Sequence, residues 1–207
     1  MPYKVTGKVD GTACVIKDST MCKKRDLKPG RKVPKTWFSL VTVQDTKDNN
    51  DEEHLHMIGY MPIEKSDKWH YDCFAKNDDG TLDLTRVHIL NRKDNHLIYE
   101  VANIRDLEGK SIEVMGPKFQ GNPHKLDRHV VMVHGELELK TYPSLDSTNL
   151  LELSKKWFVE GECGKFLEGV VVHFGNNTNK MFKVHRHHLD MSWNPDETEP
   201  LHNIRIQ

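Results

Sequence analysis

Thr6-Gly7-Lys8-Val9-Asp10-Gly11-Thr12-Ala13-Cys14-Val15-Ile16 stands near the start of the chain. From Thr12 to Ile16 it reads as a strand, because apolar and β-branched side chains fit a pleated, half-buried surface. Just ahead lie a lysine, an acid two residues on and a glycine beside the acid. A lysine amine becomes a nucleophile where burial or nearby positive charge lowers its pKa. Asp10 can orient that amine or hold a metal-bound water. Gly11 permits a tight turn and close approach of the backbone to a ligand. By residue type alone, Lys8-Val9-Asp10-Gly11 more readily describes a surface turn carrying a solvated lysine.

The other end of the chain changes that balance. Leu167-Glu168-Gly169-Val170-Val171-Val172-His173 is followed, after a polar turn, by Met181-Phe182-Lys183-Val184-His185-Arg186. Alternation along a strand puts Lys183 and His185 on one face and Phe182 and Val184 on the other. Glu168 and Lys183 can then look into one cleft from neighbouring strands. Singly, each would be an ordinary strand-edge charge.

With Lys8-Val9-Asp10-Gly11, these segments resemble the first, fourth and fifth motifs of the lysine nucleotidyltransferases: ATP-dependent DNA and RNA ligases and mRNA capping enzymes. Gly59-Tyr60-Met61-Pro62-Ile63-Glu64-Lys65, Gly121-Asn122-Pro123 and Lys183-Val184-His185-Arg186-His187-His188-Leu189 are similar to the vertebrate-type ATP-dependent RNA ligase. The resemblance runs from about Lys8 to Pro195, and the Lys-Val-His-Arg-His-His-Leu run is its most specific piece. It implies an α+β, ATP-grasp-like nucleotidyltransferase core, two antiparallel sheets flanked by helices with the nucleotide between them. Residues 1–195 would form that catalytic domain and 196–207 a short polar tail. Capping enzymes and DNA ligases usually carry an OB-fold domain after the fifth motif; here the chain ends soon after Lys183, so none is expected.

The resemblance also implies roles. Lys8 would be the nucleophile that carries AMP, with Asp10 and Lys183 in the catalytic set. A strand glutamate, here Glu113, would contact the ribose hydroxyls. A basic residue shortly after the lysine motif would contact the ribose or phosphates; Lys24 and Arg25 both fit. Gly11, Glu168 and Lys183 complete the nucleotide site, and Glu168 would hold Mg²⁺ (or Mn²⁺), a hard ion that prefers oxygen ligands. The expected reaction uses ATP to join RNA 5′-phosphate and 3′-hydroxyl ends through lysyl-AMP and RNA-adenylate, in RNA repair. The family usually places a glutamate just before the lysine; here Gly7 stands there. Two other readings remain at this point: a non-catalytic nucleotide- or RNA-binding module on the same fold, and a capping-type guanylyltransferase.

Composition is consistent with one domain. A chain of 207 residues, 36% hydrophobic and 29% charged, builds a modest core under a broad polar surface. The formal net charge of -1 excludes a global pull toward nucleic acid, so RNA contacts must come from local patches. Asp18 to Lys35 is one such stretch, dense in Lys and Arg, although it also reads as a solvated loop. Cys14, Cys22, Cys73 and Cys163 include no Cys-x-x-Cys pair and read as reduced thiols. No apolar run approaches a membrane span, and Met-Pro-Tyr-Lys-Val is not a signal peptide. A monomer inside the cell, cytoplasmic or nuclear, is expected, and Asn176-Asn177-Thr178 is a chance glycosylation match.

Between the motifs, strands are predicted over Thr36–Val43, Tyr71–Ala75, Leu82–Leu90, His96–Val101, Ser111–Gly116 and Val130–Val133. Asn77-Asp78-Asp79-Gly80 and Asn91–Asn95 supply turns, and antiparallel pairing is expected. Ala102–Lys110 can form a short helix. The spacing of Leu150, Leu153 and Trp157, with Leu151 and Phe158 beside them, predicts a helix over Ser147–Val159 with these side chains in the core and Ser147 as N-cap. His185, His187 and His188 have no cysteine partner nearby in sequence and do not make a zinc pattern.

Overall fold

The computed structural model describes residues 3–28, 30–39, 57–175, 180–193, 200–203 and 206. The chain is α+β and dominated by strands: β1 (Tyr3–Lys8), β2 (Thr12–Lys17), β3 (Thr20–Leu27), β4 (Met57–Pro62), β5 (Phe74–Lys76), β6 (Leu82–Lys93), β7 (His96–Asn103), β8 (Ser111–Met115), β9 (Val130–Val133), β10 (Gly169–Phe174) and β11 (Met181–His185). The helices are α1 (Lys68–Tyr71) and α2 (Leu150–Glu160), with short 3-10 turns between elements. A small sheet has the order β1-β10-β11. The large sheet has the order β4-β3-β2-β8-β9-β6-β5, and β7 pairs β6.

This topology gives the opening motif its place. The chain leaves the small sheet at Lys8 and enters the large sheet at Thr12, so Val9-Asp10-Gly11 is the crossover between them. Period-2 alternation then sorts side chains by face. In β8, Ile112 and Val114 pack with Cys14, Ile16, Met21, Phe74 and Val87 in one core. A second core gathers Val5, Val170 and Val172 of the small sheet, Trp157 and Phe158 of α2, and Met115, Val130 and Met132 of the large sheet.

Several expectations need correction. Ile89 of β6 pairs with Val131 of β9 in parallel, so the large sheet is not wholly antiparallel. Tyr71 ends α1, and the strand predicted there begins at Phe74. β6 runs on to Lys93, which shortens the expected Asn91–Asn95 turn, and in place of the helix expected over Ala102–Lys110, β7 runs on to Asn103 and a 3-10 turn covers Ile104–Leu107. Helix α2 starts at Leu150 after Asn149, not at Ser147. Its buried side chains are Ser154, Trp157 and Phe158, while Leu151 and Leu153 are 54% and 40% exposed. The Tyr142 hydroxyl meets Ser154 Oγ at 2.8 Å, and that buried pair turns the helix by its polar residue.

The expected polar tail is also anchored: Leu201 and Ile206 are fully buried. Their N–H groups donate to His124 O at 2.9 Å and Asn95 O at 2.6 Å. The polar turn Asn176–Asn179, residues 40–43 of the predicted Thr36–Val43 strand, the Gln44–Glu53 loop, the Asn194-Pro195 end of the predicted domain and the start of the tail at Asp196 lie outside the described residues. The four cysteines are buried thiols. Among the described residues, no helix is long and apolar enough to cross a membrane.

Candidate functional site

The register of the small sheet builds the first wall of the site. Lys8 lies opposite Gly169, which lies opposite His185; the next row is Thr6, Val171, Lys183. Directly opposed residues share a face, so Lys8, Lys183 and His185 point the same way. Gly169, between Lys8 and His185, has no side chain, and an added Cβ would sit 2.4 Å from Val184 O. The neighbouring Glu168 fills the gap. Its backbone continues the ladder, with its N–H donating to Lys8 O at 3.1 Å and its carbonyl accepting from Arg186 N at 3.2 Å. Its carboxylate is shared: Oε2 accepts from Lys8 Nζ and Oε1 lies 3.2 Å from His185 Nδ1. The Lys8 and Glu168 side chains are each 21% exposed, so the pair is largely sheltered yet reachable.

Arg186 fastens this wall from behind. It is buried, donates to Leu167 O at 2.8 Å and to Gly164 O, and lies over the Phe158 ring at 5.0 Å. Burial lowers the pKa of its guanidinium. The arginine of the His-rich run is therefore structural and fixes the strand entrance next to Glu168.

The crossover carries Asp10. Its N–H donates to the buried His124 Nε2 at 2.8 Å, and its Oδ2 accepts from Trp193 Nε1 at 3.3 Å. Burial, then the charge of Glu168, raises the Asp10 pKa above the usual carboxylate range. Burial pushes His124 down to about 4, so it stays neutral and able to accept. Gly11 packs against β8: an added Cβ would sit 2.3 Å from Val114 O and 3.1 Å from Glu113 Cγ. The need for glycine here is close backbone approach, as the sequence suggested. At Gly7 a Cβ would meet Leu137 and Leu167, at 2.7 and 2.9 Å, so apolar side chains close over this position.

The large sheet supplies the opposite wall. Glu113 pairs across from Ala13, and its carboxylate lies 2.8 Å from His134 Nε2. On β3, Lys23 and Arg25 both reach Asp67, each with a contact at 3.2 Å. Lys24 alternates to the other face. There its charge acts on Lys183, whose pKa falls below the usual lysine range through burial, then Lys8 and Lys24. Of the two basic residues left open by sequence, the geometry turns Lys24 to the cleft and Arg25 to Asp67.

Lys8, Asp10, Lys24, Glu113, Glu168 and Lys183 thus meet around one cleft, with Gly11 beneath it. Sequence reading set the Gly121-Asn122-Pro123-His124 loop near the nucleotide but gave His124 no role, and it missed Trp193, His134 and the Glu168–His185 contact. The signal for His124 was the turn-forming Gly121-Asn122-Pro123 just before it; the structure bears out a tight loop there, with Gln120, Gly121, Asn122 and Lys125 at positive φ. Trp193 had none. His185, His187 and His188 cluster with ring centroids 4.1 to 5.3 Å apart. Among the described residues, no group of three or more His, Cys, Asp or Glu is placed to hold a metal ion.

Two sheets joined by a short crossover, with carboxylates and lysines facing each other beside it, define an α+β domain. Comparison narrows the class. The family model described as RNA ligase 1 matches residues 19–205, and the chain belongs to that family. It is 29% identical over 179 residues to RNA ligase 1 of Pongo abelii, covering 81% of this chain and 50% of that protein. RNA ligase 1 of Danio rerio is 27% identical over 172 residues, covering 79% and 50%. The mouse (Mus musculus) protein of that name is 29% identical over 181 residues, covering 81% and 50%. The chain spans about half the length of the curated relatives it matches.

Proposed function

We propose that the chain is the nucleotide-loading core of an ATP-dependent RNA ligase that seals 5′-phosphate to 3′-hydroxyl RNA ends, on a nucleotidyltransferase fold. One observation carries the reading: the Lys8 amine is gripped by Glu168 while Lys183 and Lys24 bring positive charge to the same cleft. Uncharged, Nζ attacks the α-phosphorus of ATP; an N–P bond forms, the bond to the bridging oxygen breaks and pyrophosphate leaves. Lys183 and Lys24 stabilise charge on the phosphate oxygens. Glu113 serves the ribose hydroxyls. AMP then passes from Lys8 to the RNA 5′-phosphate, the 3′-hydroxyl attacks that end, and AMP leaves as the strand closes. RNA repair is the expected use.

The donor chemistry fits a hard divalent cation. Glu168 and Asp10 are close enough for one to raise the pKa of the other, and Mg²⁺ is commonly held by one or two carboxylates with waters rather than by a full protein cage. Mg²⁺ or Mn²⁺ held there would supply charge neutralisation at the α-phosphate. Positioning falls to the protein: Glu168 orients Nζ, Arg186 holds the Glu168 strand, and His124 and Trp193 fix Asp10.

The test is incubation with α-labelled ATP or GTP and a divalent metal, then denaturing electrophoresis, for the native chain and Lys8→Ala. Label from ATP that survives denaturation and vanishes in Lys8→Ala is the expected result. Label from GTP alone would replace this reading with capping chemistry. No label in folded, unadenylylated protein would leave a binding module.

A further inference from the structure

Lys24 is not the end of its row. Across the large sheet Lys24 lies opposite Tyr60 of β4, and Tyr60 pairs with Phe38 as the next extended segment outward. The two rings stack, with centroids 5.8 Å apart and planes within 23°. The Lys17 ammonium lies 4.1 Å from the Phe38 ring centre. Tyr60 shares the Lys24 face of the sheet by register, and both aromatic residues are half-buried. Phe38 occupies the outer side of Tyr60, since it pairs beyond β4; Lys24 of β3 lies on the inner side.

We propose that the Phe38–Tyr60 pair is a stacking shelf for a nucleobase of single-stranded RNA, taken on the Tyr60 face toward Lys24, with Lys17 as partner for a flanking phosphate. Aromatic faces with interleaved cations suit single strands, because every base has a π-face and every linkage a charge. The chemistry is local, as it must be in a chain of net charge -1. The shelf lies one strand further out than Lys24, away from Lys8. This favours the RNA strand as occupant over the adenine of ATP. The proposal deepens the ligase reading by locating its RNA contact.

The experiment uses the full chain with Tyr60→Leu, which keeps an apolar side chain but removes the ring, and Tyr60→Phe, which keeps the ring. Binding of a fluorescent 5′-phosphorylated single-stranded oligoribonucleotide is read by anisotropy, and lysyl-AMP formation from α-labelled ATP is read separately. Tyr60→Leu is expected to weaken RNA binding about tenfold, Tyr60→Phe less than about twofold, and neither to change AMP labelling. Thermal melting of both variants confirms that folded protein is compared. Unchanged RNA binding in Tyr60→Leu, or native protein that binds no RNA, would overturn the shelf. A parallel fall in AMP labelling would assign the ring to ATP and equally overturn it. If the native chain takes no AMP label, the ligase reading fails alone, because anisotropy still judges the shelf.

Discussion

Acid should release the crossover loop through His124. Its Nε2 accepts the Asp10 N–H at 2.8 Å, which requires a neutral ring. Protonation would set two N–H donors against each other in a buried site. Burial holds the group at about 4, against an ordinary value of 6.5. A difference of that size corresponds to about 3 kcal/mol. The sign follows from proton counting: between these values the unfolded chain binds the proton and the folded chain does not. Stability is therefore complete above about pH 6.5 and is lost as pH falls toward 4. His70, also near 4 through burial, works in the same direction from the other core. The discriminating variant is His124→Gln, whose amide oxygen can accept from Asp10 and does not titrate. Urea unfolding from neutral pH down to about pH 4.5, for the native chain and the variant, isolates the His124 contribution. The raised carboxyl of Asp10 is present in both chains, so its contribution largely cancels. The variant is expected to be less stable at neutral pH by about 1–2 kcal/mol and to lose less on acidification, so that the gap closes or reverses. Parallel stability curves would refute the argument.

Arg186→Lys should cost about 2–3 kcal/mol at neutral pH, measured by urea unfolding, because a lysine cannot reach both the Leu167 and Gly164 carbonyls that the buried guanidinium serves. Lys24→Ala and Arg25→Ala should separate cleanly. The first is expected to lower lysyl-AMP labelling about tenfold or more with little change in melting. The second should lower stability by no more than about 1 kcal/mol, with labelling per folded molecule preserved.

What the sequence revealed and what it hid divide along one physical line. Ser111–Met115 was legible because alternation is written into its residues, and Val130–Val133 because a short apolar run marks a buried strand. Leu151 and Leu153 misled because helical spacing marks a stripe without saying which neighbour covers it; Leu150 does pack against the core, and the Tyr142–Ser154 pair decided the rotation. The parallel contact of Ile89 with Val131 and the burial of Leu201 and Ile206 depend on partners far along the chain. Lys24 and Arg25 show the division within a single strand. Alternation alone says that they face opposite ways, but only Asp67, 42 residues after Arg25, says which way is which. The same reasoning explains why Lys8-Val9-Asp10-Gly11 is ambiguous when read alone. Its residues belong to neither sheet as a unit, since Lys8 ends β1 and Thr12 begins β2. A turn between two strands of one sheet would leave that lysine solvated. A crossover between two sheets instead sets its amine against Glu168 on one wall, with Gly11 pressed beneath Glu113 on the other. The chemistry of the motif is thus a property of the topology, which is why the far hairpin had to be read before the near one made sense.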